Sequence, residues 1–152
     1  MATAKYTLAT GSSLVASHLG SSWSFGLDHA RTRLGCCHYA KKTITCSTYL
    51  IAYLADDEVE QVILHEIAHG VVGPSVGHGR AWLATARKLG YTGGTTIEVP
   101  EARLSARWRG VCTHGHEVFR HRLTKRRTYC GTCARAGTRR ELTWHDRGLV
   151  LR

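Results

Sequence analysis

Two histidines four residues apart with a glutamate between them, HEIAH at residues 65–69, are the part of this chain most able to do chemistry. On a helix, positions i and i+4 project from one side a turn apart, so His65 and His69 can grip one cation. Glu66 sits beside them, placed to reach a water on that cation without being a ligand. Zinc lowers the pKa of bound water to about 7, so a neighbouring carboxylate can deprotonate it and pass the proton to a leaving amine. His78 follows the Gly70–Gly77 loop and opens the next helix, so it can swing back as a third ligand. Three protein ligands with a fourth position left to water is the catalytic arrangement, not the closed structural one. The competing reading, core histidines satisfied by backbone groups, is weakened by Glu66, the only formal charge between Glu60 and Arg80. An unpaired carboxylate is costly to bury, so it wants a partner or a polar cleft.

A second ligand set lies near the C-terminus. Cys130 and Cys133 form a CxxC knuckle, and CTHGH upstream offers Cys112 with His116 or His114. Gly115 allows a tight knuckle and favours His116. A Cys-His plus Cys-Cys site would be a closed structural zinc, folding a segment too small to bury its own core. The alternative is free thiols in a surface arm. Between the half-sites, EVFRHRLTKRRTY supplies Arg120, Arg122, Lys125, Arg126 and Arg127 as phosphate-seeking charge, with Phe119 and Tyr129 able to stack on bases. Trp108 and Trp144 read as packing residues. Nothing has the pattern of a major-groove reader, so backbone binding with little sequence preference is expected. Cys36, Cys37 and Cys46 read as small hydrophobes in or beside strands, with a redox or third metal role as the alternative.

The elements that must position these groups are readable from periodicity. Residues 6–20 read as a modest helix with Leu8, Leu14, Val15 and Leu19 near one side. Residues 22–28 and 42–47 alternate as half-buried strands, and Gly35 suggests a turn between them, giving an antiparallel edge. Asp56, Asp57, Glu58 and Glu60 mark a helix N-terminus, with Asp57 and Glu60 at capping-box spacing. Val59, Val62, Ile63, Leu64, Ile67, Ala68 and Val71 make that helix apolar nearly all round, hence buried. Gly70, Gly73 and Pro74 bring it to an end. A second helix runs from Arg80 to Leu89, closed by Gly90. A short strand is expected at Thr95–Val99, a domain boundary near Pro100, and short strands and turns around the cysteines from Arg107 onward.

Of 152 residues, 43% are hydrophobic and 21% charged, so a core can form and wholesale disorder is not expected. The net charge of +10 is unevenly placed: residues 1–100 carry 8 Lys/Arg against 7 Asp/Glu, residues 101–152 carry 13 against 4. Cations clustered in the last third attract polyanions, nucleic acid above all, although a solvated face is the plainer reading. No apolar run approaches the roughly 20 residues of a membrane span, so no membrane partner is expected. Six cysteines without a visible secretion signal argue for thiols or metal ligands, and the cytoplasm is the expected compartment.

VILHEIAHGVVGPSVGHGRAWLATARKLG resembles the SprT-like metalloproteases, the family that includes the DNA-dependent protease Spartan. The matching parts are the HExxH helix, a short loop, and a Gly-His-Gly segment leading into a helix with an aromatic residue, Trp82. WSFGLDHARTRLGCCHYAKKTITCS is similar to the family's strand–turn–strand entry to that helix. The resemblance covers Trp23 to Gly90 and, more loosely, the C-terminal module, where family members commonly end in a zinc ribbon and some carry Cys-x-x-Gly-His. It implies His65, His69 and His78 as catalytic-zinc ligands, Glu66 as the base, and hydrolysis of peptide bonds, often in proteins associated with DNA. The Gly70–Gly77 loop is short, and no tail of the length that carries clamp- or ubiquitin-binding motifs is present, so recruitment by those partners is not implied. The compact form is similar to bacterial or phage members. Tyr53, His38 and Arg80 are the candidates for stabilising an oxyanion.

The combined expectation is an α+β zincin-like domain over residues 1–100, followed by a basic zinc ribbon over 101–152. It would hold one catalytic and one structural Zn2+, act on protein substrates and bind DNA through its backbone. Two other readings remain: a non-proteolytic DNA-binding zinc protein with an inactive protease-like domain, and a zinc hydrolase acting on a different amide. The intact Glu66 favours hydrolysis, because a structural site needs only its ligands.

Overall fold

The computed structural model describes residues 1–97 and 106–148, and the chain divides into two units, Met1–Val99 and Pro100–Arg152. In the first unit, helix α1 (Ala4–Leu19) begins where the Thr3 hydroxyl accepts the Tyr6 N–H at 3.1 Å. Its buried line is Thr7, Gly11 and Val15, a four-residue spacing that keeps one side inward. Leu8, assigned to that side from sequence, is 41% exposed.

Strands β1 (Ser24–Asp28), β2 (Gly35–His38) and β3 (Thr43–Ser47) form one sheet in the order β1-β3-β2. The two alternating segments pair as expected, but in parallel, Ser24 opposite Thr43 and Asp28 opposite Ser47. Gly35 is not in a turn: it opens β2, which runs antiparallel to β3 and makes the far edge. A parallel pair needs a crossover, and residues 29–42, with β2 inside them, provide it. The hairpin turns at Tyr39–Lys42, where Lys42 adopts φ 47°. Central β3 buries Ile44 and Cys46 completely.

Helix α2 (Asp56–Val72) starts with Asp56, Asp57 and Glu58 in its first turn, where carboxylates complement exposed N–H groups. The capping contact belongs to Glu58, which accepts the Ala55 N–H at 2.7 Å, rather than to the Asp57–Glu60 pair. Val59, Val62, Ile63, Leu64, Ile67 and Ala68 are buried, each large aliphatic contributing about 1.5–3 kcal/mol. Val71 is the exception at 50% exposed. Gly73, at φ 88°, ends the helix and donates to the His69 carbonyl. Gly70 lets α1 approach: a β-carbon there would lie 2.9 Å from Leu19 Cδ1. Helix α3 (Arg80–Lys88) ends before Gly90, at φ 94°, and packs Trp82 and Ala86 with Leu64, Ala68 and Tyr91 into a core. Thr95–Ile97 form no strand; the rest of the strand expected at Thr95–Val99, and the boundary residue Pro100, lie outside the described residues.

In the second unit β4 (Trp108–Val111), β5 (Glu117–Arg120) and β6 (Thr143–Asp146) form an antiparallel sheet ordered β5-β4-β6. A five-residue helix, α4 (Gly131–Arg135), was not expected from sequence. The buried centre is Cys112, Cys130, Cys133 and Leu142, with Val118 and Trp144 against it. That is too little apolar surface to hold the segment unaided. Trp144 packs as expected, over Gly110, where a β-carbon would meet its ring at 2.9 Å. Among the described residues no helix is long and apolar enough to cross a membrane.

Candidate metal centres: a histidine triad and a cysteine–histidine cluster

Helix α2 presents His65 and His69 one turn apart, and the loop after Gly73 returns the chain so that His78 meets them just before α3. The Nε2 atoms converge: His69 to His78 is 2.9 Å and His78 to His65 is 3.0 Å. Three imidazoles aimed at one point cannot all satisfy one another by hydrogen bonding, because each neutral ring has one donor and one acceptor. Tetrahedral zinc with Zn–N near 2.0–2.1 Å would set the nitrogens about 3.3 Å apart, so the donor set fits the ion with a few tenths of an ångström of expansion. His65 is buried and His78 exposed, which leaves the triad open on one side.

Trp82 forms the floor. Its ring centroid lies 4.7 Å from those of His65 and His78 and 5.4 Å from that of His69. Burial pushes the His65 imidazole down to about 4, helped by His69 and His78, and lowers His69 as well. The His65 and His69 rings are therefore neutral and able to ligate at neutral pH.

Glu66 lies in a cleft of about 260 Å³ lined by Thr32–Gly35, Val62, His65, His78 and Thr95–Ile97. Burial raises its carboxyl to about 7, partly opposed by the Arg33 guanidinium. Arg33 is itself held by Asp28, donating at 2.9 Å to Oδ2, while Asp28 also accepts the Thr45 hydroxyl and the Ala30 N–H. None of the three oxyanion candidates lines the cleft. Tyr53 is 41% exposed, Arg80 is exposed, and the His38 ring is engaged by Thr45 at 3.1 Å. The cation in the cleft is Arg33, which sequence reasoning missed; nothing local to residues 31–33 connects them to HEIAH.

Cys46 is buried, while Cys36 and Cys37 are half-buried on β2. Burial and then the Glu66 charge push Cys37 up to about 12 and raise Cys46, and burial also raises Cys36. These are protonated thiols, as the hydrophobe reading expects.

In the second unit two knuckles face each other. The first is Cys112–His116, closed by the Gly115 N–H to the Cys112 carbonyl at 2.9 Å with Gly115 at φ 79°. The second is Cys130–Cys133, where the Cys133 N–H donates to the Cys130 sulfur at 3.4 Å. His116 Nδ1 lies 3.5, 3.6 and 3.3 Å from the sulfurs of Cys112, Cys130 and Cys133, and Cys112 and Cys133 are 3.8 Å apart. Tetrahedral zinc predicts about 3.5 Å for sulfur to nitrogen and about 3.8 Å for sulfur to sulfur. His114 Nδ1 is 3.6 Å from Cys133 but is not in the converging group of Cys112, His116, Cys130 and Cys133.

Arg122, Lys125, Arg126 and Arg127 are exposed together on the connection that follows β5. Arg127 has a loose partner, Glu141, at 3.7 Å. Arg120 is set apart, its guanidinium 5.3 Å from the Trp144 ring. The two aromatic residues suggested for base stacking already carry arginines: Arg139 over Tyr129 at 4.0 Å and Arg147 over Phe119 at 5.5 Å.

The SprT-like family pattern matches residues 5–105. Among solved structures, the chain is similar to the metallopeptidase zymogen jannalysin of Methanocaldococcus jannaschii, with 18% identity and a TM-score of 0.48, over 64% of this chain and 90% of that one. No curated protein matches it.

Proposed function

The chain belongs to the SprT-like family of metallopeptidases, and from that premise we propose that it is a zinc endopeptidase acting on DNA-associated or DNA-crosslinked proteins. The observation that carries the catalytic half is the convergence of His65, His69 and His78, with Glu66 lining the same cleft as His65 and His78. In this reading the three imidazoles hold the catalytic zinc. Bound there, zinc supplies Lewis acidity that acidifies water and polarises a peptide carbonyl. Glu66 takes a proton from the attacking water on a carboxylate oxygen and delivers it to the leaving amine nitrogen. Its raised proton affinity suits both halves of that transfer near neutral pH. Arg33 adds a fixed positive charge at the cleft for developing negative charge or a substrate carboxylate.

The DNA-binding half rests on charge. The run Arg122, Lys125, Arg126 and Arg127 is solvent-facing, and Arg120, set apart over the Trp144 ring, adds a further charge. Such a run contacts phosphates without reading bases. Cys112, His116, Cys130 and Cys133 hold the structural zinc that shapes the unit presenting it. The domains are then 1–100 for proteolysis and 101–152 for binding.

Glu66→Gln tests the whole. Loss of cleavage of DNA-bound protein substrates, with DNA binding and zinc content unchanged, supports the proposal. Equal cleavage by wild type and variant would remove Glu66 as the base, whereas no cleavage by the wild type with or without DNA turns the reading to a non-proteolytic DNA-binding zinc protein.

A further inference from the structure

We infer that Gly35 is a positioning residue for Glu66: the strand leaves out a side chain at this point so that the carboxylate can rest against its backbone. The inference rests on Glu66 being the base, as proposed above. A β-carbon at Gly35 would lie 2.7 Å from Glu66 Cγ, 2.9 Å from Oε1 and 3.2 Å from Cδ. Carbon atoms in good contact are about 3.5–4.0 Å apart, so that space belongs to the glutamate.

The backbone gives no other reason for a glycine. Gly35 is not among the described residues with positive φ, and it pairs in register with Cys46 as an ordinary member of β2. A glycine inside a strand weakens it, and often marks a place where another group approaches closely. Here the approaching group is identified. Glu66 projects from α2 toward the sheet edge, and Gly35 and Glu66 line the same cleft as His65 and His78. Strand and helix together narrow the positions open to the carboxylate, and a base needs that restriction to meet water and then the leaving nitrogen.

An added methyl would meet the mobile end of a side chain rather than backbone. Gly35→Ala is therefore expected to move the Glu66 carboxylate while leaving the strand and the zinc ligands in place. Crystal structures of the zinc-loaded wild type and Gly35→Ala test this directly: the carboxylate should shift by about 1 Å or more over an unmoved α2 backbone. In turnover of a protein substrate, kcat should fall by about 10- to 100-fold with KM little changed and zinc content equal. Combining Gly35→Ala with Glu66→Asp, whose shorter side chain retreats from the methyl, should lose less than the product of the two single losses. An unmoved carboxylate, an unchanged kcat, a loss of zinc, or multiplicative losses overturns the inference. Glu66→Gln in parallel separates the two claims. If it is fully active, the reading of Glu66 as base has failed; if it is inactive while Gly35→Ala matches wild type, only the role of Gly35 has.

Discussion

The Trp82 indole N–H points at the main-chain carbonyl of His65, 3.4 Å away, while its ring lies edge-on to the His65 imidazole. One residue thus ties α3 to the metal-binding turn of α2 through both backbone and side chain. Trp82 is fully buried. Replacing it with alanine should cost about 3–5 kcal/mol of stability and loosen the triad, seen as a lower unfolding midpoint in urea and weaker retention of zinc against a chelator. Trp82→Phe keeps a ring and should lose less on both measures.

Elemental analysis separates the two centres. With two converging donor groups, the wild type should carry about two zinc ions per chain. His78→Ala and Cys133→Ser should each lose about one, the first with a folded second unit and the second without. A variant that keeps its full complement removes its residue from the ligand set.

The metal-stripped protein should show two opposed pH effects in the first unit. His65 titrates near 4 when folded, below its ordinary 6.5, so its contribution is present above about 6.5 and is lost as pH falls toward 4. Glu66 titrates near 7 when folded, above its ordinary 4.5; acidification from 7 to 4.5 favours the fold at that site. The two offset each other in the wild type. Thermal melts of stripped Glu66→Gln should therefore fall more steeply between pH 6.5 and pH 4 than those of the stripped wild type, because only the histidine effect remains. Parallel curves would contradict the burial assigned to Glu66.

DNA binding, measured by fluorescence anisotropy on two unrelated sequences, should weaken steeply with salt and differ little between them. Arg126→Ala and Arg127→Ala should each weaken both sequences alike and reduce the salt slope by roughly one. Arg127 has Glu141 nearby, so its loss should cost less. Sequence-selective loss would point to base contacts instead.

Much of the site was legible because its signals are local. HEIAH fixes two ligands one turn apart on any helix, and the acidic first turn and the apolar run from Val59 to Ala68 are themselves local helix signals. The sheet was harder. Alternation marked both β1 and β3, but alternation says only that a strand has two faces, so parallel pairing and the intervening β2 could not be inferred. Leu8 and Val71 were assigned inward by hydrophobicity alone, and neither meets a facing element that would bury it.

What the sequence determined by itself was chemistry carried by short spacings: the helix bearing His65 and His69, the Cys130–Cys133 knuckle, and the basic run around Lys125. The tertiary structure decided which distant groups join them. His78 reaches the triad because the loop after Gly73 returns the chain, and His116 meets all three sulfurs where His114 meets one. Glu66 finds Gly35 and Arg33 only when the sheet edge closes against α2. These relations span residues far apart in the chain, and their distances are set by packing, which no local pattern of residues encodes.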